Sequence, residues 1–243
     1  MARPPRPLIP GGFYHVTARG NERRVIFRDD IDRERFLGIL ADVVEEAGWS
    51  LLAYCLMDNH FHLLVLTPEP NLAAGMQRLN GTYAQWFNLR HDRVGHLFQG
   101  RYGAKVIRTE SQFRATVRYI VWNPVRGGLC ESPSQYRWSS HCATLGATEA
   151  PQFLAVKRLL ALFGPNRERA RQAYRRLCAS DTSGRLDRMT LRELELAFLL
   201  DGRTDTAAIG EARASGFSMR QIALHLGVDA STVSRRLRAT VSA

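Results

Sequence analysis

The chain has 243 residues, 45% of them hydrophobic, and a formal charge of +11. That is apolar material for one sizeable core and a smaller second domain, while no run reaches the roughly 18 uninterrupted apolar residues of a membrane span. The opening MARPPRPLIPGGF lacks the apolar centre of a secretory signal, and Cys55, Cys130, Cys142 and Cys178 are too scattered for a zinc ribbon or a disulfide framework, so the sequence reads as cytoplasmic with no membrane partner.

GGFYHVTARGN (11–21) is rich in β-branched and aromatic residues between glycines and predicts a first strand. In DDIDRERFLGILADVVEEAG (29–48), Phe36, Leu37, Ile39, Leu40, Val43 and Val44 are spaced as the apolar face of a helix stopped at Gly48. Residues 51–57 and 60–66 are two apolar runs on either side of Asp58-Asn59, a pair that tolerates positive φ and suits a two-residue hairpin turn. Met76, Leu79, Tyr83, Trp86 and Phe87 mark a second helix from Asn71 to about Arg90. AKVIRT (104–109) predicts another strand, and a third helix begins at Ser111 and has to end by Pro124. The order β-α-β-β-α-β plus a helix predicts an α+β fold: a ferredoxin-like, RRM-like sheet with helices packed on one side and a further helix after the last strand.

Residues 131–151 read as an irregular connector and 152–200 as helical. FSMRQIALHLGVDASTVSRRLRA (217–239) offers two helices about a turn at Gly227. It resembles a helix-turn-helix in which Ile222, Ala223, Leu226, Val233 and Leu237 pack inside, while Ser231, Thr232, Arg235 and Arg236 face out toward phosphates and the major groove. A purely structural helical hairpin is the other reading. The chain thus divides into a domain over 1–145, a helical connector over 146–212 and a DNA-binding segment over 213–243.

Charge follows that division. Residues 71–130 hold nine Arg or Lys against two Asp or Glu, residues 213–243 hold five against one, and the rest of the chain balances. Two basic regions imply two contacts with nucleic acid, which suits a protein associated with the nucleoid. Lys105 and Lys157 are the only lysines among 34 basic residues, a bias that explains the choice of arginine but not the clustering.

Within the central hairpin, His60 and His62 stand where a buried strand prefers aliphatic residues. Alternate residues of a strand share a face, so both imidazoles point the same way, roughly 7 Å apart along the strand, and can share a ligand; histidines satisfied otherwise, or at the surface, are equally compatible. In RATVRYIVWNPVRGG (114–128), Tyr119 and Asn123 are four apart on one helix face, with Arg114, Arg118 and Arg126 around them. A phenol in a positive field is a better nucleophile, and an amide oxygen on the same face can complete a metal site. A core tyrosine and a helix-capping asparagine are the alternatives. Tyr102, between Gly100-Arg101 and Gly103, is a candidate for stacking on a base, with Arg101 beside it for a phosphate. His15 on the first strand reads first as a core or edge histidine.

The stretches YHVTARGN, MDNHFHLLV, HLFQGRYGAKVI and YIVWNPVRGGL are similar to those of the single-tyrosine, His-hydrophobic-His (HUH) transposases of the insertion-sequence-200-like group, most closely the branch associated with repetitive extragenic palindromes (REP), over about residues 11–145. The resemblance implies a nuclease and strand transferase that cuts single-stranded DNA beside a hairpin or palindrome through a 5′-phosphotyrosine link. It implies Tyr119 as nucleophile and His60 and His62 as ligands of Mg²⁺ or Mn²⁺, with an amide or acid nearby for which Asn123 is the match. Asp58 stands where the family's turn carries proline. Double-stranded DNA would be held by the C-terminal segment, and the chain would act as monomer or homodimer. The rival reading is a non-catalytic DNA-binding regulator on the same fold; a hydrolytic metal phosphodiesterase would need carboxylate ligands that the helix of Tyr119 lacks.

Overall fold

The strand expected near the N-terminus is β1 (Gly12–Arg19) in a computed structural model that describes residues 9–181, 206–214, 217–226 and 228–238. After it come α1 (Asp30–Glu46), β2 (Ser50–Met57), β3 (His60–Thr67), α2 (Leu72–Arg90), β4 (Gly103–Ile107) and α3 (Glu110–Arg126). The four strands form one sheet in the order β2-β3-β1-β4, each neighbouring pair antiparallel. Helices start where side chains can satisfy the first turn: the Asp29 carboxylate accepts from the Asp32 N–H at 3.0 Å, and the Thr109 hydroxyl from the Gln112 N–H at 3.1 Å.

Period-two alternation gives the sheet two different faces. On one, Phe61 packs 4.7 Å from Phe36 of α1, which meets Tyr83 of α2 at 5.1 Å, ring centre to ring centre. On the other, His62 lies under Tyr119 of α3 at 5.2 Å. The sheet is thus covered on both faces, by α1 and α2 on one side and by α3 over the site on the other.

Two local expectations are corrected. The hairpin does turn on Asp58-Asn59, with Met57 opposite His60, but neither turn residue has positive φ. The turn is instead tied from outside: the Asp58 carbonyl accepts from the N–H groups of Ile26 and Phe27, and the Asp58 carboxylate pairs with Arg33. The third helix also does not stop before Pro124. The ring removes one N–H in the last turn, and the backbone beyond is held by Gly127 N–H to Asn123 O and Leu129 N–H to Pro124 O, both at 2.9 Å, so the helix runs to Arg126 and its C-cap is Gly127, not Asn123.

The stretch expected as a connector is built into the first unit, which extends to residue 181. Residues 136–140 run beside β2: Leu56 N–H bonds the Trp138 carbonyl at 2.9 Å, Ser140 N–H the Tyr54 carbonyl at 3.0 Å, and the Tyr136 hydroxyl the Leu56 carbonyl at 2.6 Å. They cover a sheet edge that would otherwise be open to another chain. Helices α4 (His141–Leu145), α5 (Val156–Ala161) and α6 (Arg167–Cys178) follow. In α6 the buried Tyr174 bonds His141 Nδ1 at 3.0 Å, and burial holds that imidazole down to about 4. An unfolded histidine takes its proton near 6.5, so His141 contributes stability above that pH and loses it progressively as pH falls to about 4, by about 3 kcal/mol at most. Urea unfolding at pH 7.5 and 4.5 is expected to show a stability drop that is smaller in His141→Gln; an equal drop in both would remove His141 as a cause.

A second unit begins at residue 182. Its described helices are α7 (Thr206–Ala214), α8 (Met219–Leu226) and α9 (Ala230–Arg238). Ala208, Ile209, Ala212, Phe217, Ile222, Ala223 and Val233 form its core, with Leu226 and Leu237 packed against it. α7 therefore belongs with the C-terminal helices and not with a connector ending at 212. Asp229 Oδ1 accepts from the Thr232 N–H at 3.0 Å and starts α9; the Ser231 hydroxyl also bonds Asp229, and Arg235 is exposed. The expectations for Gly227, for the Arg236 side chain and for helix over 182–200 lie outside the described residues. Among the described residues, no helix is long and apolar enough to cross a membrane.

Candidate active site

Three histidines share the sheet face under α3. His60 and His62 are alternate residues of β3, with ring centres 5.0 Å apart. His15 of β1 is opposite Leu64 and so lies diagonally from His62; its Nε2 is 2.9 Å from His62 Nδ1. Tyr119 closes the group from above, 5.2 Å from the His62 ring and 5.7 Å from that of His15. Asn123, one turn further along α3, is buried, and its side chain acts on His60. The helix can come this close because Gly127 has no side chain: a Cβ there would sit 2.6 Å from the Met57 methyl carbon.

All three imidazoles are held neutral. Burial, reinforced by Lys105 across the strand pair, lowers His15 to about 3; burial and Arg19 lower His60 to about 4, against a raising bond from Asn123; burial and then the neighbouring His15 keep His62 well below its ordinary value. Neutral imidazoles have a lone pair to give, the form in which histidine binds metal.

The donor set fits a divalent ion. Nε2 of His62 is buried without a hydrogen-bond partner, which is costly unless something occupies its lone pair. His60 Nδ1 donates to Asn59 Oδ1 at 2.7 Å, which turns its other nitrogen into a donor atom for a metal. Among the described residues, no group of three or more His, Cys, Asp or Glu is placed to hold an ion; the Asn123 amide is beside His60.

The arginines expected around Tyr119 divide their roles. The Arg126 guanidinium lies 5.1 Å over the Tyr119 ring and pairs with Asp181 through Nε at 2.9 Å and a terminal nitrogen at 2.6 Å. With Trp122 Nε1 donating to the Cys178 carbonyl at 3.1 Å, this pair clamps α3 to the end of α6. Arg114 pairs with Glu110 and lies 5.1 Å over Phe163, and Arg118 acts electrostatically on the Cys178 thiol. Arg101 is exposed, on a groove between α2 and residues 95–102. Tyr102 is corrected: it is 6% exposed and packed in the core, so its ring has no face for a base. His15, expected as a core or edge histidine, joins the site; its signal in the sequence is a polar residue in an apolar strand. Lys105 and Arg19, opposite His15 and His60 on the sheet, carried no signal until the strands were paired.

The family model described as "Transposase IS200 like" matches residues 11–123, the span that contains β1, the histidine hairpin, Tyr119 and Asn123. Over that span the chain is similar to the IS200-like transposase family. It is 25% identical over 146 residues to a Haemophilus influenzae protein named as a REP-associated tyrosine transposase, covering 56% of this chain and 82% of that one. A solved structure of a REP-associated tyrosine transposase, bound to a REP hairpin, superimposes with a TM-score of 0.54 at 19% identity, over 62% of this chain and 89% of that one. The matched region thus shares its fold with that protein.

Proposed function

We propose that this protein is a metal-dependent single-stranded DNA endonuclease and strand transferase, with Tyr119 as its nucleophile. The observation that carries the reading is the convergence of Tyr119 on three neutral histidines, one of which holds a buried Nε2 with no partner. His60 and His62, with Asn123, would hold Mg²⁺ or Mn²⁺. When bound, the ion polarises the scissile phosphate and offsets charge on the departing oxygen. The Tyr119 oxygen gives up its proton and attacks phosphorus in line, its bond to phosphorus forms as the bond to the 3′ oxygen breaks, and that oxygen takes up a proton so that the strand leaves with a free 3′-OH. Attack by that 3′-OH reverses the step, so joining needs no external energy source. Arg126 steadies the phenol ring from above.

The sheet order β2-β3-β1-β4 supports the ferredoxin-like reading of the domain. The substrate proposed is single-stranded DNA carrying a hairpin, by likeness to the hairpin-bound relative and from the basic surplus of residues 71–130, where Arg101, Arg114 and Arg118 are the proposed phosphate contacts. Incubating the protein with hairpin DNA drawn from the sequences flanking its gene, with Mn²⁺, should yield a protein–DNA adduct that survives SDS. A non-catalytic regulator would bind and leave the strand whole.

The second unit is proposed to bind double-stranded DNA through Ser231, Thr232, Arg235 and Arg236 on α9. Because α7 packs with these helices, the informative truncation is at residue 182; a cut at 213 would strip Ala208, Ile209 and Ala212 from their partners. The truncated protein should still cut hairpins but bind duplex DNA more weakly, each lost phosphate contact reducing the salt slope of log K by roughly 0.9. Duplex affinity and salt slope equal to those of the full chain would show that the unit does not bind DNA.

A further inference from the structure

We propose that His15 is a positioning residue: it accepts the Nδ1 proton of His62 and so fixes the tautomer in which His62 Nε2 presents a lone pair to the site. The inference rests on the metal reading for its purpose, but not for its geometry.

The two rings meet Nε2 to Nδ1 at 2.9 Å. A neutral imidazole has one N–H and one bare nitrogen, so a single proton lies between the rings and belongs to one of them. If His15 donates, His62 must carry its own proton on Nε2, which is then a buried N–H with no acceptor and useless as a ligand. If His62 donates, Nε2 is bare and turned to an incoming cation. The partner of His60 leaves no such choice, because Asn59 Oδ1 can only accept. His62 faces a group that can do either, so its tautomer is decided by His15.

The surroundings favour His15 as an acceptor. Donation from His62 Nδ1 across the 2.9 Å contact leaves its buried Nε2 as a bare lone pair, whereas donation from His15 would bury an Nε2–H of His62 with no acceptor. Ligating histidines usually give their second N–H to a carboxylate, a carbonyl or water. A neutral imidazole in that place orients the ligand without adding negative charge beside a phosphate.

The test uses the full chain with ¹⁵N-labelled histidine. Long-range ¹H–¹⁵N spectra of the metal-free protein should show His62 protonated on Nδ1 in the wild type and in His15→Gln, whose amide oxygen can accept, and protonated on Nε2 or mixed in His15→Phe. Calorimetric titration with Mn²⁺ should give affinity within about threefold of wild type for His15→Gln and about 10- to 100-fold weaker for His15→Phe. A wild-type His62 protonated on Nε2 overturns the proposal, as does a His15→Phe protein that retains wild-type tautomer and Mn²⁺ affinity. The wild-type spectrum decides even where the Phe variant fails to fold. If no variant binds Mn²⁺ and the tautomers still follow the expected pattern, His15 positions His62 and it is the metal reading that falls.

Discussion

Replacing both His60 and His62 by alanine is expected to abolish strand cleavage, a loss of at least about a thousandfold, and to abolish Mn²⁺ binding with it. The two imidazoles are the paired nitrogen donors of the site, both neutral and aligned on one strand. Mn²⁺ at a hundred times its Kd should stabilise the wild-type protein by about 2.7 kcal/mol and leave the double variant unmoved. Thermal melts with and without the ion separate that effect from any cavity left by the lost rings. Asn123→Ala should weaken Mn²⁺ binding less, because it removes one amide and keeps both imidazoles. A double variant that still cleaves in Mg²⁺ or Mn²⁺ would mean that the ion is held elsewhere.

Tyr119→Phe should eliminate cleavage and the SDS-resistant adduct together while leaving affinity for hairpin DNA within a few-fold. Only the hydroxyl is lost: the ring still packs against His62 and His15 and still lies under Arg126, and the basic surface that supplies most of the affinity is untouched. Gel-shift titration and a cleavage time course on the same preparation check both halves. Cleavage by the Phe variant at more than a small fraction of the wild-type rate would exclude Tyr119 as nucleophile.

The parts legible in the sequence were those written locally. Alternation placed His60 and His62 on one face, spacing of four placed Tyr119 with Asn123, and the apolar period of α1 and α2 gave their extents to within a few residues. The misreadings came where distant groups override local preference. Pro124 is a local exception: its lost N–H falls in the last turn, and the bonds beyond it, Gly127 N–H to Asn123 O and Leu129 N–H to Pro124 O, are those of an ordinary helix end. Residues 136–140 looked irregular because their partners are the β2 backbone some eighty positions earlier. Tyr102, a base-stacking candidate because its glycine neighbours allow close approach, is core. His15 gained its meaning only from the β1–β3 register, which no short stretch encodes.

The most direct test of the central claim is to trap the covalent intermediate and map it. A wild-type reaction with hairpin DNA and Mn²⁺ is quenched in SDS, the adduct is digested with nuclease and protease, and the modified peptide is sequenced by mass spectrometry. The account predicts a nucleotide phosphate on Tyr119, within the peptide that contains Tyr119 and Asn123, and a free 3′-OH on the released strand. A phosphate on any other residue, or cleavage that leaves a free 5′-phosphate and no adduct, would contradict it.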